Sequence, residues 1–176
     1  MKKLYFLFTL MFAFSIQSQV IITEIADPNN DFQARFIELT NIGDSAFDLT
    51  GYQLVRWTNA NTAYTASSAV DLSEFGSLQS KGILTLANNT KFETVYGVAP
   101  TKVVGSGGPA DSNGDDNIAI LDPNGSIHDV YGVPGTDGTG QPHEFEDGRA
   151  ERKGSVTAPS STCLLYTSPS PRDQAK

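Results

Sequence analysis

Residues 20–41 read VIITEIADPNNDFQARFIELTN, and this stretch decides the fold class. Val20–Ala26 is a run of β-favouring residues, stopped by the turn formers Asp27, Pro28, Asn29 and Asn30. In the second run, 34–41, Phe36, Glu38 and Thr40 alternate with Ile37 and Leu39. A period of two buries one face of a strand and leaves the other more polar.

The same grammar continues outward. Further strands are expected over 46–49 and 52–58, split by Gly51 at a bend, with weak edge-like strands over 63–67 and 70–72. A well-marked inner strand spans 82–87, a single helical turn 90–96, and a short strand 102–105. A polar loop then runs through 106–116. Asn117–Leu121 and 126–131 form a hairpin around Asp122-Pro123-Asn124-Gly125, whose Asn-Gly pair is a strong turn signal. Loop 132–142 is dominated by Gly and Pro, and 144–153 holds either a last strand pair or an irregular capping segment. Short strands at this spacing predict one all-β sandwich domain.

Both ends of the 176-residue chain differ from this pattern. Met1-Lys2-Lys3 precedes an uncharged run, 4–16, and polar Gln17-Ser18-Gln19 follows. An apolar run of about 13 residues makes a helix of about 20 Å, too short to cross a bilayer. Residues 1–18 therefore read as a cleavable secretory signal peptide, with the protein secreted or at the cell surface and no transmembrane segment left after cleavage. At the other end, 163–173 (CLLYTSPSPRD) resembles a sequencing-library transposase adapter translated in one frame. Residues 163–176 are accordingly expected to be a non-native tail, and 19–162 a domain truncated at its C-terminal side within a longer protein.

The single cysteine, Cys163, lies in that tail, so 19–162 can form neither a disulfide nor a thiolate site. Segment 19–162 carries 8 basic and 19 acidic residues, a net charge of −11. Such a surface repels phosphate backbones and excludes nucleic-acid binding by this module alone, while it attracts divalent cations.

Five motifs in order carry a resemblance. Ile22-Thr23-Glu24-Ile25 is followed by Glu38-Leu39-Thr40-Asn41 and then by Asp48-Leu49-Thr50-Gly51-Tyr52-Gln53-Leu54. Gly114-Asp115-Asp116-Asn117-Ile118-Ala119-Ile120 and Asp129-Val130-Tyr131-Gly132 complete the set. Together they resemble the lamin tail domain family over about 20–153, and 145–152 (FEDGRAER) is similar to the closing segment of its bacterial, Bacteroidetes-type members. The resemblance implies an immunoglobulin-like β-sandwich. It also implies an accessory role beside secreted nucleases, phosphoesterases, other hydrolases or sorting domains. The expected partner is a covalently linked downstream domain, with an extracellular protein or glycan as a further one.

From the residues themselves, Asn41 beside Gly43 suits an Asx-turn, and Gly51 and Gly132 suit positive φ or close strand approach. Glu24 and Glu38 are read as surface or inter-strand pairs rather than catalytic acids, with Arg35, Arg56 and Arg149 as available partners. The sharpest candidate for chemistry is Asp111, Asn113 and Asp115, oxygen side chains at positions one, three and five of a turn, as calcium loops present them. An EF-hand is excluded, because an extended 117–121 carries Asp122 roughly 16 Å away. A second loop, Asp27, Asn29 and Asp31, is the expected complement, giving calcium as the one candidate cofactor; the competing reading is an acidic turn held by Asx bonds.

Trp57, Tyr52 and Tyr64 are the candidate stacking platform of a calcium-dependent carbohydrate-binding module, against which Trp57 is as readily a core anchor. His128 and His143 lack metal-ligand spacing, and His128 reads as a solvent-facing strand residue. Gly105-Ser106-Gly107-Gly108 is neither a nucleophile elbow nor a phosphate loop. No catalytic residue is assigned.

Overall fold

The computed structural model describes residues 19–29 and 31–162. The signal-peptide and adapter segments therefore lie outside the described residues. Eleven strands follow in order: β1 (Val20–Ala26), β2 (Phe36–Asn41), β3 (Phe47–Asp48), β4 (Gln53–Trp57), β5 (Val70–Asp71), β6 (Ser77–Leu78), β7 (Ile83–Ala87), β8 (Lys102–Val103), β9 (Asn117–Leu121), β10 (Ile127–Tyr131) and β11 (Arg149–Glu151). One short helix, α1 (Lys91–Tyr96), ends at Gly97, whose left-handed φ of 75° closes it.

Two sheets make the sandwich. One has the order β11-β1-β2-β7-β8, the other β10-β9-β4-β5, and β3-β6 form a separate two-stranded ribbon. All pairings are antiparallel except β7 with β8.

The core explains the alternation. Ile37 and Leu39 of β2 and Leu84 and Leu86 of β7 meet Leu54 of β4 and Ile118 and Ile120 of β9 in one cluster. Each such side chain, fully buried, contributes roughly 1.5–3 kcal/mol of transfer free energy. β1 obeys a shifted rule. Val20, Ile22 and Ile25 all enter the core, because a bulge between Ile22 and Glu24 breaks the period of two. That bulge sends Glu24 to the outer face, opposite Glu38 on β2 and Glu151 on β11.

β9 is buried along its whole length. Its other face, Ala119 and Leu121, packs with Val55, Trp57 and Val130 in a second cluster outside the sandwich core. A third cluster sets Phe92 and Tyr96 of α1 edge-on against Phe36.

Four expectations change. Residues 63–67 form no strand; Ala66–Ser68 make a 3-10 turn after Thr65 N–H bonds the Arg56 carbonyl at 3.1 Å. The second strand starts two residues later than expected, since Phe32–Ala34 coil into a 3-10 turn whose Asp31 carboxylate accepts from Gln33 N–H. Ser77–Leu78 is a strand that the sequence did not announce. Segment 144–153 yields a single strand, β11, added to the free side of β1. Among the described residues no helix is long and apolar enough to cross a membrane.

Candidate functional site

The polar motif residues converge on the backbone rather than on a common cleft. Asn41, fully buried at the end of β2, accepts from Gly43 N–H at 3.0 Å, the expected Asx-turn. Its Nδ2 also donates to the carbonyls of Ser45 (2.8 Å) and Leu78 (2.9 Å), tying β2 to β6. Asn117, also fully buried, accepts from Val133 N–H at 2.7 Å and donates to the Thr136 carbonyl at 2.9 Å. Gly132 makes room for it: a Cβ there, at φ +85°, would stand 2.2 Å from Asn117 Oδ1.

Asp129 is as fully buried as the two asparagines, with 0% exposure, and it carries a carboxylate. β10 is bulged between Ile127 and Asp129, which turns the carboxylate toward the first sheet. There it accepts from Ile22 N–H (2.8 Å) at the β1 bulge and from Ser160 N–H (2.8 Å), and it pairs with the buried guanidinium of Arg152. Arg152 also donates through Nε to the Ile22 carbonyl at 2.9 Å, and Val130 N–H bonds the Ser160 carbonyl at 3.0 Å. Burial pushes the Asp129 carboxyl up to about 6, against the pull of Arg152 and of the backbone N–H donors. One side chain thus joins β1, β10 and the segment after β11. In the sequence Asp129 stands out only as part of a motif and nothing marks Arg152 as its partner; a buried Asp–Arg pair 23 residues apart leaves no local signal.

Glu24 and Glu38 lie side by side on the outer face of the first sheet. Burial raises the Glu24 carboxyl, and Arg149, 3.2 Å away, opposes that rise. Glu38 accepts from the Thr23 hydroxyl at 2.6 Å. Both are inter-strand partners, as expected.

The two loops expected to share calcium do meet. A groove of about 460 Å³ is lined by Asp27, Asn29, Asp31 and Asn113, together with Glu146 and Asp147. Arg35 and Lys91 line it as well. Arg35 stands between the loops: its Nε donates to Asp27 at 2.5 Å and its NH1 to Asp111 at 3.4 Å. Asp111 further accepts from Asn88 Nδ2 and Gly107 N–H, each at 2.8 Å. Asp115 is turned toward Asn59 Nδ2 (3.1 Å) and Asn113 Nδ2 (3.2 Å). Its neighbour Asp116, 1% exposed, pairs with Arg56 at 3.2 Å. So Asn113 joins the first loop, Asp111 is bound by arginine, and Asp115 lies outside the groove lining. Among the described residues no three His, Cys, Asp or Glu side chains are grouped to hold a metal ion.

The aromatic platform does not assemble. Trp57 is 6% exposed and packs edge-on to Tyr64 in the second cluster. Tyr52 instead meets Phe47 and His128 at the rim of the main core. The cause is strand alternation: in β4, Trp57 shares a face with Val55, whereas Tyr52 precedes the strand and packs against the opposite cluster.

His128 corrects another expectation. It is half-buried, with Nε2 3.0 Å from the Val20 carbonyl, so that ring nitrogen donates. Burial holds its pKa below the ordinary 6.5. The unfolded chain therefore takes up the proton first, and stability is lost as pH falls through about 6.5. Measured as unfolding free energy from pH 8 to 5, the wild type should lose stability relative to His128→Gln; parallel curves would contradict this, and the comparison cancels the carboxylates common to both chains.

A search of curated proteins returned no match. The Lamin Tail Domain family model matches residues 15–135, well over half of the chain. The two-sheet, nearly all-β architecture is consistent with that match, and the chain belongs to the lamin tail domain family, a family of immunoglobulin-like sandwiches.

Proposed function

We propose that this chain is a non-catalytic, exported module serving as an accessory or structural domain of a larger protein. The observation that supports it is the employment of the polar motif residues: Asn41, Asn117 and Asp129 hold backbone groups, and Glu24, Asp27, Asp111 and Asp116 hold arginines. A general acid or base must reach a substrate proton, and a nucleophile needs an adjacent base. Groups already bonded to backbone or arginine, most of them buried, are engaged by the fold instead. A catalytic role then falls to a downstream domain such as a nuclease, phosphoesterase or other hydrolase.

Fractionation of the source culture tests the export half of this reading. Mass spectrometry should find the protein in the medium or at the cell surface, with its first residue at Gln19. Recovery from the cell interior with residues 1–18 attached would overturn it.

We further propose that the acidic loops hold no resident cation. Arg35 supplies the positive charge between Asp27 and Asp111 that calcium would otherwise bring. The melting temperature in millimolar calcium should coincide with that in chelator. A clear rise with calcium would show that the ion displaces the guanidinium.

A further inference from the structure

The chain contains two Asn-Gly pairs, Asn113-Gly114 and Asn124-Gly125. As dipeptides they are chemically equivalent. In each, the glycine nitrogen can attack the Asn Cγ, forming an N–Cγ bond as the side-chain nitrogen leaves with a proton as ammonia. Water then adds to either carbonyl of the resulting succinimide, leaving Asp or isoaspartate in the chain. The reaction needs a glycine nitrogen free to approach Cγ and a backbone able to rotate.

The fold treats the two pairs differently. Gly114 is buried, its N–H faces Ser112 Oγ at 3.3 Å, and its carbonyl accepts from Phe145 N–H at 2.9 Å. A Cβ on Gly114 would lie 2.2 Å from the backbone nitrogen of Glu146, so the main chain there has no room to turn. Asn113 itself is exposed, but its Nδ2 is bonded to Asp115 at 3.2 Å, and it is Gly114 that is locked in place. In the second pair the glycine is exposed too: Asn124 and Gly125 both lie open at the tip of the β9–β10 hairpin. Gly125 N–H makes one turn bond, to the Asp122 carbonyl at 2.9 Å, and a Cβ on Gly125 would meet nothing within 4 Å. Exposed hairpin tips open locally at little free-energy cost, whereas a clamped buried loop opens only with the surrounding structure.

We infer that Asn124 is the site at which this protein deamidates, and that the fold spares Asn113. The product places a new carboxylate two residues from Asp122, whose own carboxylate accepts from Asn124 and Ser126 N–H. The isoaspartate form adds a methylene to the main chain at the turn that sets the β9–β10 register.

The test is peptide mapping by mass spectrometry of the whole chain, incubated in mildly alkaline buffer, with a parallel sample in denaturant. In the folded sample Asn124 should convert on the order of tenfold faster than Asn113, or more. In denaturant the two rates should converge, since both are Asn-Gly. Equal rates in the folded protein, or faster conversion at Asn113, would overturn the inference. So would a rate difference that persists in denaturant, because its cause would then be sequence context and not the fold.

Discussion

Replacing Asp129 by Ala should destabilise the folded chain by roughly 3–5 kcal/mol, the cost of leaving one partner of a buried ion pair uncompensated. The size follows from what the carboxylate holds. Arg152 loses the buried carboxylate it pairs with, and Ile22 and Ser160 lose the Asp129 oxygens their N–H groups bond. A buried donor without an acceptor costs a further penalty of about 1–3 kcal/mol wherever water cannot reach it. A domain of this size is stable by only about 5–15 kcal/mol, so the variant should melt far below the wild type or fail to fold at ordinary temperature. The double change Asp129→Leu with Arg152→Met separates charge from geometry. Removing both ions should recover part of the loss, so that the double variant is more stable than Asp129→Ala. Denaturant unfolding of the three chains checks this, and equal stability of wild type and Asp129→Ala would contradict it.

Gly132→Ala should cost roughly 3 kcal/mol or more, the sum of a left-handed backbone forced on an L-residue and a broken buried network. The new methyl would occupy the position of Asn117 Oδ1, 2.2 Å away. Asn117 would have to swing out, releasing Val133 N–H and the Thr136 carbonyl. Gly97 supplies the control. It has a similar φ, +75°, but a Cβ there would meet nothing within 4 Å. Gly97→Ala should therefore cost only about 1–2 kcal/mol, the backbone strain alone. Similar losses at both positions would show that conformation, not close approach, sets the demand for glycine at 132.

Much of this fold is legible in the sequence, for a physical reason: strand alternation is a local property. The period of two in 36–41 and the Asn-Gly turn at 124–125 can be seen within a few residues; the hairpin forms there, and the strand forms with only its first two expected residues lost to a turn. What escapes is set by partners distant along the chain. The bulges at Thr23 and His128 have no local signature, yet they direct Glu24 outward and Asp129 inward. Residues 63–67 look strand-like, but after Thr65 N–H bonds the Arg56 carbonyl the chain coils into the 3-10 turn Ala66–Ser68 instead of extending along β4. The acidic loops read correctly as neighbours, since Asn113 does face the loop 27–31. Their arginine does not show: Arg35 and Arg56 read as partners for Glu24 or Glu38, but the folded chain sets Arg35 between Asp27 and Asp111 and Arg56 on Asp116, leaving Arg149 to Glu24. The aromatic trio fails for a reason that spacing does carry: Tyr52 and Trp57 are an odd number of residues apart, so alternation sends them to opposite clusters.

The family match ends at residue 135, whereas the fold continues. Phe145 and Ala150 are fully buried in the main core, and Arg152 and Ser160 close on Asp129. The closing segment is thus part of the domain, and it lies along β10, whose edge it satisfies through Val130. An edge strand left open there would be a template for pairing with other chains.

The most direct test of this arrangement is native-state hydrogen exchange of single backbone amides in the whole chain. Ile22, Val130 and Ser160 should exchange together, all three at the slow rate of global unfolding, because one buried carboxylate and its closing segment bind them. If Ser160 and Val130 exchange rapidly while Ile22 remains protected, the segment after β11 is a loose tail and Asp129 is not the hub of the fold.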